Sequence, residues 1–127
     1  MLQTLLTRSM VRRSVAWLGA LLVFTSGCTV PQGGDAYALM TPEQRAFADS
    51  LAQFTPASSA ADLMAVLGQP YRNTPGKLYW RRPGAGENER VDVYLLDGRV
   101  GRIRYLSVSP MWVWQLEAQG GQLIPSP

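Results

Sequence analysis

The sequence predicts an α+β fold in which two short N-terminal helices pack on a three- to four-stranded antiparallel β-meander. Two segments between residues 41 and 68 carry helix-capping signals and apolar residues at helical spacing. From Lys77 onward the apolar and polar residues alternate as in strands, and Asp97-Gly98 is a strong hairpin turn. Because 46% of the residues are hydrophobic and only 17% are charged, the composition favours a folded domain over disorder.

The first 27 residues have the pattern of a secretory signal peptide. Three arginines precede an apolar run (VAWLGALLVF) and a group of small residues that ends at Cys28. The run is too short for a transmembrane helix, which needs about 20 residues. We therefore predict a signal peptide over residues 1–27, with translation starting at Met1 or Met10.

Thr25-Ser26-Gly27-Cys28 resembles the lipobox of bacterial lipoproteins, although the first position is usually leucine. In that family the cysteine thiol receives a diacylglyceryl group, the chain is cut before it, and the new amine is acylated. Cys28 is the single cysteine of the sequence, and lipidation removes the liability of an unpaired thiol in an oxidising compartment. The alternative is an ordinary signal peptide cut near a lone cysteine.

The residue after the lipobox predicts the destination of the mature protein. Thr29 stands where an aspartate tends to retain lipoproteins at the inner membrane. By resemblance we expect an outer-membrane location, lipid-anchored and facing the periplasm. In a Gram-positive host this rule carries no information.

The mature chain divides into three predicted parts. Residues 28–36 contain proline and glycine without periodicity, and they predict a lipidated N-terminus followed by a flexible tether. Residues 37–118 predict the small α+β domain. Residues 119–127 predict a frayed C-terminus.

Capping residues delimit both predicted helices. The first begins at Thr41-Pro42-Glu43-Gln44, with threonine as N-cap and glutamine in the capping-box position. The second is capped by Ser58 or Ser59 and ends at Gly68, where a C-terminal glycine is common.

The second half of the chain predicts three strands and an ambiguous fourth. Leu78-Tyr79-Trp80-Arg81 is the first, Val91 to Leu96 the second and Arg99 to Val108 the third. Met111 to Glu117 is either a fourth strand or an apolar tail. The predicted order is therefore α-α-β-β-β.

Several features together resemble the BamE (SmpA/OmlA) lipoproteins. They are the lipobox-like sequence, a Leu39-x-Thr41 helix start, Leu67-Gly68-Gln69-Pro70, an aromatic first strand and an acidic-Gly hairpin. The resemblance spans roughly residues 39–106, and Leu-Gly-x-Pro is its most specific element. It implies a BamE/BLIP-like fold and a place in the outer-membrane β-barrel assembly machinery. Two features depart from that family: Pro56-Ala57-Ser58 replaces its usual Gly-Met-Thr turn, and the pair Trp112 and Trp114 is not expected.

The charges exclude some classes of partner and site. The chain has 12 basic and 9 acidic residues, but three arginines belong to the predicted signal peptide. The mature domain is therefore near neutral, and without a global positive field we expect no nucleic-acid partner. The sequence has no histidine and one cysteine, so we expect no catalytic residues, no metal site and no cofactor.

Two groups of residues are candidates for an interaction surface. Arg102 and Arg104 share one face of a strand, with Arg81 near them in the sheet. Their guanidinium groups suit anionic lipid or an acidic protein, and the alternative is a solvated face with cross-strand ion pairs. Trp112 and Trp114 also share a face, and they form either a partner surface or part of the core.

The leading functional hypothesis is a non-enzymatic outer-membrane lipoprotein that acts through protein contacts as an accessory to envelope assembly. It would bind the membrane through lipid on Cys28 and a protein partner in the envelope. The alternative is a periplasm-facing lipoprotein inhibitor or ligand-binding module on a similar fold. A third hypothesis is a hydrolase, against which the absence of histidine argues.

Overall fold

The computed structural model describes residues 29–127, so the predicted signal peptide and Cys28 lie outside the described residues. The described chain begins with three short helices, which are α1 (Gly33–Leu39), α2 (Pro42–Leu51) and α3 (Ala60–Leu67). A six-stranded sheet follows, and one turn of 3₁₀ helix (Gly86–Asn88) precedes its third strand.

The six strands form one antiparallel up-and-down sheet in which each strand pairs with its neighbours in the chain. The strands are β1 (Arg72–Thr74), β2 (Lys77–Trp80), β3 (Glu89–Leu96), β4 (Arg99–Ser107), β5 (Trp112–Gln119) and β6 (Gln122–Pro125).

The predicted fold class, two helices on a three- to four-stranded meander, is wrong in the number of elements. The described chain has an additional helix, α1, and its sheet has six strands. The outermost strands, β1 and β6, have three and four residues and lie in segments rich in turn residues. Such short segments carry too few positions for alternation to be recognised. Their pairing with longer neighbours defines them instead.

The segment predicted as a flexible tether over residues 28–36 is folded in its second half. Ala36 of α1 is completely buried, and the Val113 amide of β5 donates to the Pro31 carbonyl over 3.0 Å. Gly33 has a φ of +57°, and a Cβ there would lie 2.7 Å from the Ser126 carbonyl oxygen. The N-terminal segment therefore packs against the sheet and the end of the chain.

The C-terminus, predicted to be frayed over residues 119–127, is instead paired with the sheet. Residues 122–125 form β6, which pairs with β5, and the Ser126 amide donates to the Gln115 carbonyl over 3.0 Å. Both ends of the described chain thus lie along the outer edge of β5, and the folded domain is wider than residues 37–118.

The caps of α2 and α3 form as their sequences predict. The Thr41 side chain accepts from the Gln44 amide, and the Gln44 side chain accepts from the Thr41 amide. Ser59 and Asp62 repeat this arrangement at α3, which ends at Gly68 with a φ of +79°. These reciprocal bonds satisfy amides that have no partner within the helix.

The core lies between the helices and one face of the sheet, here called the inner face. Register places its buried residues in cross-strand rows, which include Trp80, Val91, Tyr105 and Trp114 in one row and Leu78, Val93, Ile103 and Leu116 in the next. The helices contribute the buried side chains of Ala36, Ala48, Leu51 and Leu63.

Candidate functional site: the open face of the sheet

The other face of the sheet carries charged and aromatic side chains that register brings together. One row across the strands comprises Arg72, Tyr79, Asp92, Arg104 and Gln115. The next row comprises Lys77, Tyr94, Arg102 and Glu117. Since Arg90 precedes Asp92 by two residues on β3, it projects on the same side. We call these ten residues the open face.

Tyrosine rings hold the cations of the open face in place. The Lys77 ammonium lies 4.9 Å from the ring centroid of Tyr79 and 4.6 Å from that of Tyr94. The Arg72 guanidinium lies 5.3 Å from the Tyr79 ring, and that of Arg102 lies 5.3 Å from the Tyr94 ring. These distances fall within the range of cation–π attraction, so the rings restrain long side chains that would otherwise be mobile.

Asp92 is completely buried at the centre of the open face. Arg90 donates to both of its carboxylate oxygens, over 2.7 and 3.1 Å, and the Lys77 ammonium lies 3.5 Å from one of them. The carboxylate is covered by these cations and presents no charge to solvent. Its effect is to fix the positions of Arg90 and Lys77, because a buried carboxylate needs paired donors.

Arg102 and Arg104 keep hydrogen-bonding capacity for a ligand. The Arg102 side chain is 47% exposed and reaches one oxygen of Glu117 over 3.4 Å. Within the described part of the chain, the Arg104 Nε is buried and has no hydrogen-bond partner. A shallow cavity of about 360 Å³ beside Arg102 is also lined by Tyr94 and Glu117. An oxygen ligand at this end of the open face would accept from the exposed Arg102 guanidinium, whereas the buried Arg104 Nε is closed to solvent.

Charge is divided between the two layers of the domain. The helices carry four acidic residues and one basic residue, which are Asp35, Glu43, Asp49, Asp62 and Arg45. The open face carries five basic residues and two acidic ones, and one of those two is buried. Although the net charge of the mature domain is near zero, the domain therefore has an acidic helical side and a basic sheet side.

The predicted interaction residues separate in the structure. Arg102 and Arg104 lie on the open face, and Arg81 lies at its margin with its guanidinium 3.8 Å from the Tyr71 ring centroid. Trp112 is 0% exposed and Trp114 only 4%, so they do not form the predicted interaction surface. The alternation of β5 turns both tryptophans inward.

Sequence reasoning identified two of the ten open-face residues as interaction candidates, Arg102 and Arg104. Five further cationic and aromatic residues, which are Arg72, Lys77, Tyr79, Arg90 and Tyr94, were not among the candidates. Their signal was available, because Lys77 and Tyr79, and likewise Arg90 and Tyr94, occupy the polar positions of alternating strands. Following those positions along the predicted strands would have found these four residues, whereas Arg72 lies on β1, which was not predicted.

Glu89 forms a second buried polar cluster at the margin of the core. Arg82 donates to both carboxylate oxygens over 2.8 and 2.9 Å, and Tyr105 and Gln44 donate to it as well. Burial opposes ionisation, but these hydrogen bonds outweigh it and lower the pKa of Glu89 to about 2. A carboxylate held ionised by three donors is a poor proton acceptor, and this one joins α2 to the sheet.

Among residues 29–127 no group of three or more histidine, cysteine, aspartate or glutamate side chains could hold a metal ion. In the same range no helix has the length and apolar character required to cross a membrane.

No protein-family model, curated protein or solved structure matches this chain. The resemblance to the BamE lipoproteins therefore stays a prediction from the sequence.

Proposed function

We propose that this protein is a non-enzymatic outer-membrane lipoprotein that acts through protein contacts, as an accessory to envelope assembly. The open face is the observation that carries the proposal. Arginine and tyrosine are enriched among residues that dominate binding energy at interfaces, and the open face presents both types in fixed positions. The lipobox-like sequence and Thr29 support the location, and the BamE resemblance supports the role in assembly.

The path of the N-terminal segment supports a function close to the membrane. Pro31 is bonded to β5 and lies three residues after Cys28, a stretch that spans at most about 10 Å when extended. Lipid on Cys28 would therefore hold the edge of the sheet near the bilayer, since the chain leaves no long tether.

The anchor can be tested by metabolic labelling with palmitate followed by membrane fractionation. We expect label in the wild-type protein and a shift of Cys28→Ser to the soluble fraction without label. Unlabelled wild-type protein would contradict the lipoprotein proposal, whatever the open face binds.

The protein contact can be tested by affinity capture of the anchored protein from membranes. We expect barrel-assembly components to co-purify with the wild type and to be lost with Arg102→Gln/Arg104→Gln. A charge-matched control is Arg45→Gln/Arg99→Gln, whose guanidinium groups bond backbone carbonyls outside the open face. Capture of a soluble enzyme as the sole partner would instead favour an inhibitor or ligand-binding module.

A further inference from the structure

We propose that the open face binds an extended acidic segment of a protein that crosses the strands, with carboxylates of the segment placed on Arg72 at one end and on the Arg102–Arg104 pair at the other. The inference rests on the proposed function and adds the chemistry of the partner. Five cations lie on this face against two carboxylates, the buried one of Asp92 and the partly exposed one of Glu117, which leaves an excess of three positive charges. An acidic ligand therefore meets a surface of opposite sign although the whole domain is near neutral.

Arg102 supplies the most accessible contact, since its side chain is 47% exposed. Arg104 lies beside it with Gln115 directly across on β5, and its Nε is buried without a hydrogen-bond partner in the described residues. Arg102 is two residues away on the same strand and borders the shallow cavity. A carboxylate placed here would accept from a guanidinium in the bidentate geometry that arginine favours.

The spacing of the cations suits an extended chain that crosses the strands. Arg72 on β1 and Arg104 on β4 are in one row, three strand intervals apart, which corresponds to about 14 Å. Side chains on one side of an extended peptide repeat every ~6.8 Å, so acidic residues four positions apart span that distance. The tyrosine rings between them offer apolar surface to the intervening residue.

The N-terminal segment favours a protein over the bilayer as the occupant. Gln32 forms a parallel bridge with Val113, so the chain before it runs beside the start of β5. The turn at that end exposes Val108 and Met111, each 54% exposed. Lipid on Cys28 would therefore bring the ends of the strands to the membrane. The open face would then stand beside the bilayer, where a neighbouring protein can reach it.

The test measures binding of a fluorescent peptide to the mature lipidated protein in neutral detergent micelles. The probe alternates glutamate and serine over about ten residues, long enough to span Arg72 and Arg104. Its control replaces every glutamate with glutamine. We expect binding of the acidic peptide alone, weakened when salt rises from about 50 to about 200 mM. Arg102→Gln/Arg104→Gln should weaken binding about tenfold or more, whereas Arg45→Gln/Arg99→Gln should retain it.

Three results would overturn the inference. They are no binding of the acidic peptide, equal losses in the open-face and control variants, and binding to vesicles of phosphatidylcholine with phosphatidylglycerol in place of the peptide. None of these results bears on palmitate labelling of Cys28 or on membrane capture, so failure of the inference is distinguishable from failure of the proposed function.

Discussion

Glu89 and Asp92 lie three residues apart on β3 and serve opposite faces of the sheet. Glu89 points inward, where Arg82, Tyr105 and Gln44 surround it. Asp92 points outward and is covered by the cations of the open face. Both carboxylates are at most 3% exposed, so each is ordered by charged partners that the fold brings to it. Glu89 thus joins α2 to the sheet, and Asp92 orders two cations of the open face.

The pKa of Glu89 predicts a specific acid sensitivity. Its value falls from 4.5 to about 2 in the folded protein, so its contribution to stability is present above pH ~4.5 and is lost as pH falls toward 2. That contribution corresponds to roughly 3 kcal/mol. Glu89→Gln should flatten the decline in unfolding free energy between pH 7 and 2, as measured by urea denaturation.

Glu43→Gln is the matched control for this pH series. Glu43 is exposed in the first turn of α2 and should retain the wild-type decline on acidification. If Glu89→Gln declines as steeply as the wild type, the buried ion pair is not the source of the acid sensitivity.

At the residue scale, alternation predicted the facing of the arginines on β4 but not that of the tryptophans on β5. Alternation on β4 predicted that Arg102 and Arg104 share a face opposite Ile103 and Tyr105, and register confirms this. The same reasoning could not decide whether Trp112 and Trp114 are core or surface. Alternation assigns residues to a common face, but the identity of the covered face depends on where the helices pack.

At the scale of elements, the helices that carry local capping signals could be predicted, and the helix that lacks them could not. α2 was predicted from its capping box, and α3 from a serine N-cap and from Gly68 at its end. α1 has seven residues, begins with two glycines and lacks a side-chain N-cap, so its sequence resembles a linker. Its helix forms because Ala36 packs into the core and Tyr37 contacts Trp114, with ring centroids 6.4 Å apart. Such contacts are tertiary and leave no local pattern.

Adjacent glycines in α1 provide a matched test of this folded N-terminus. Gly33→Ala introduces a Cβ against the backbone of Ser126 at a φ of +57°, and we expect a loss of about 1–3 kcal/mol in unfolding free energy. A Cβ at Gly34 meets nothing within 4 Å, so Gly34→Ala should be neutral or stabilise by up to about 1 kcal/mol. Equal, negligible effects in thermal or urea unfolding would mean that residues 28–36 are a tether after all.

At the scale of the whole molecule, the separation of charge by layer was beyond the sequence analysis. The full chain has a formal net charge of +3, and without the three arginines of the predicted signal peptide the count is near zero. The up-and-down sheet places cations from four strands, β1 to β4, on one side, while the acidic residues of the helices stay on the other. In a domain whose two sides carry opposite charge, complementary charge contributes more to the specificity and orientation of binding than to its affinity. Its two sides should therefore differ in what they bind.

Site-specific photo-crosslinking of the lipid-anchored protein in its native membrane tests this account most directly. A benzophenone side chain at Gln115 reports on the open face, and one at Ala46, an exposed position of α2, reports on the helical side. We predict that Gln115 gives a discrete protein adduct that Arg102→Gln/Arg104→Gln abolishes, and that Ala46 gives none. Adducts from both positions alike, or adducts to lipid alone from Gln115, would contradict the claim that the open face is the protein-binding surface.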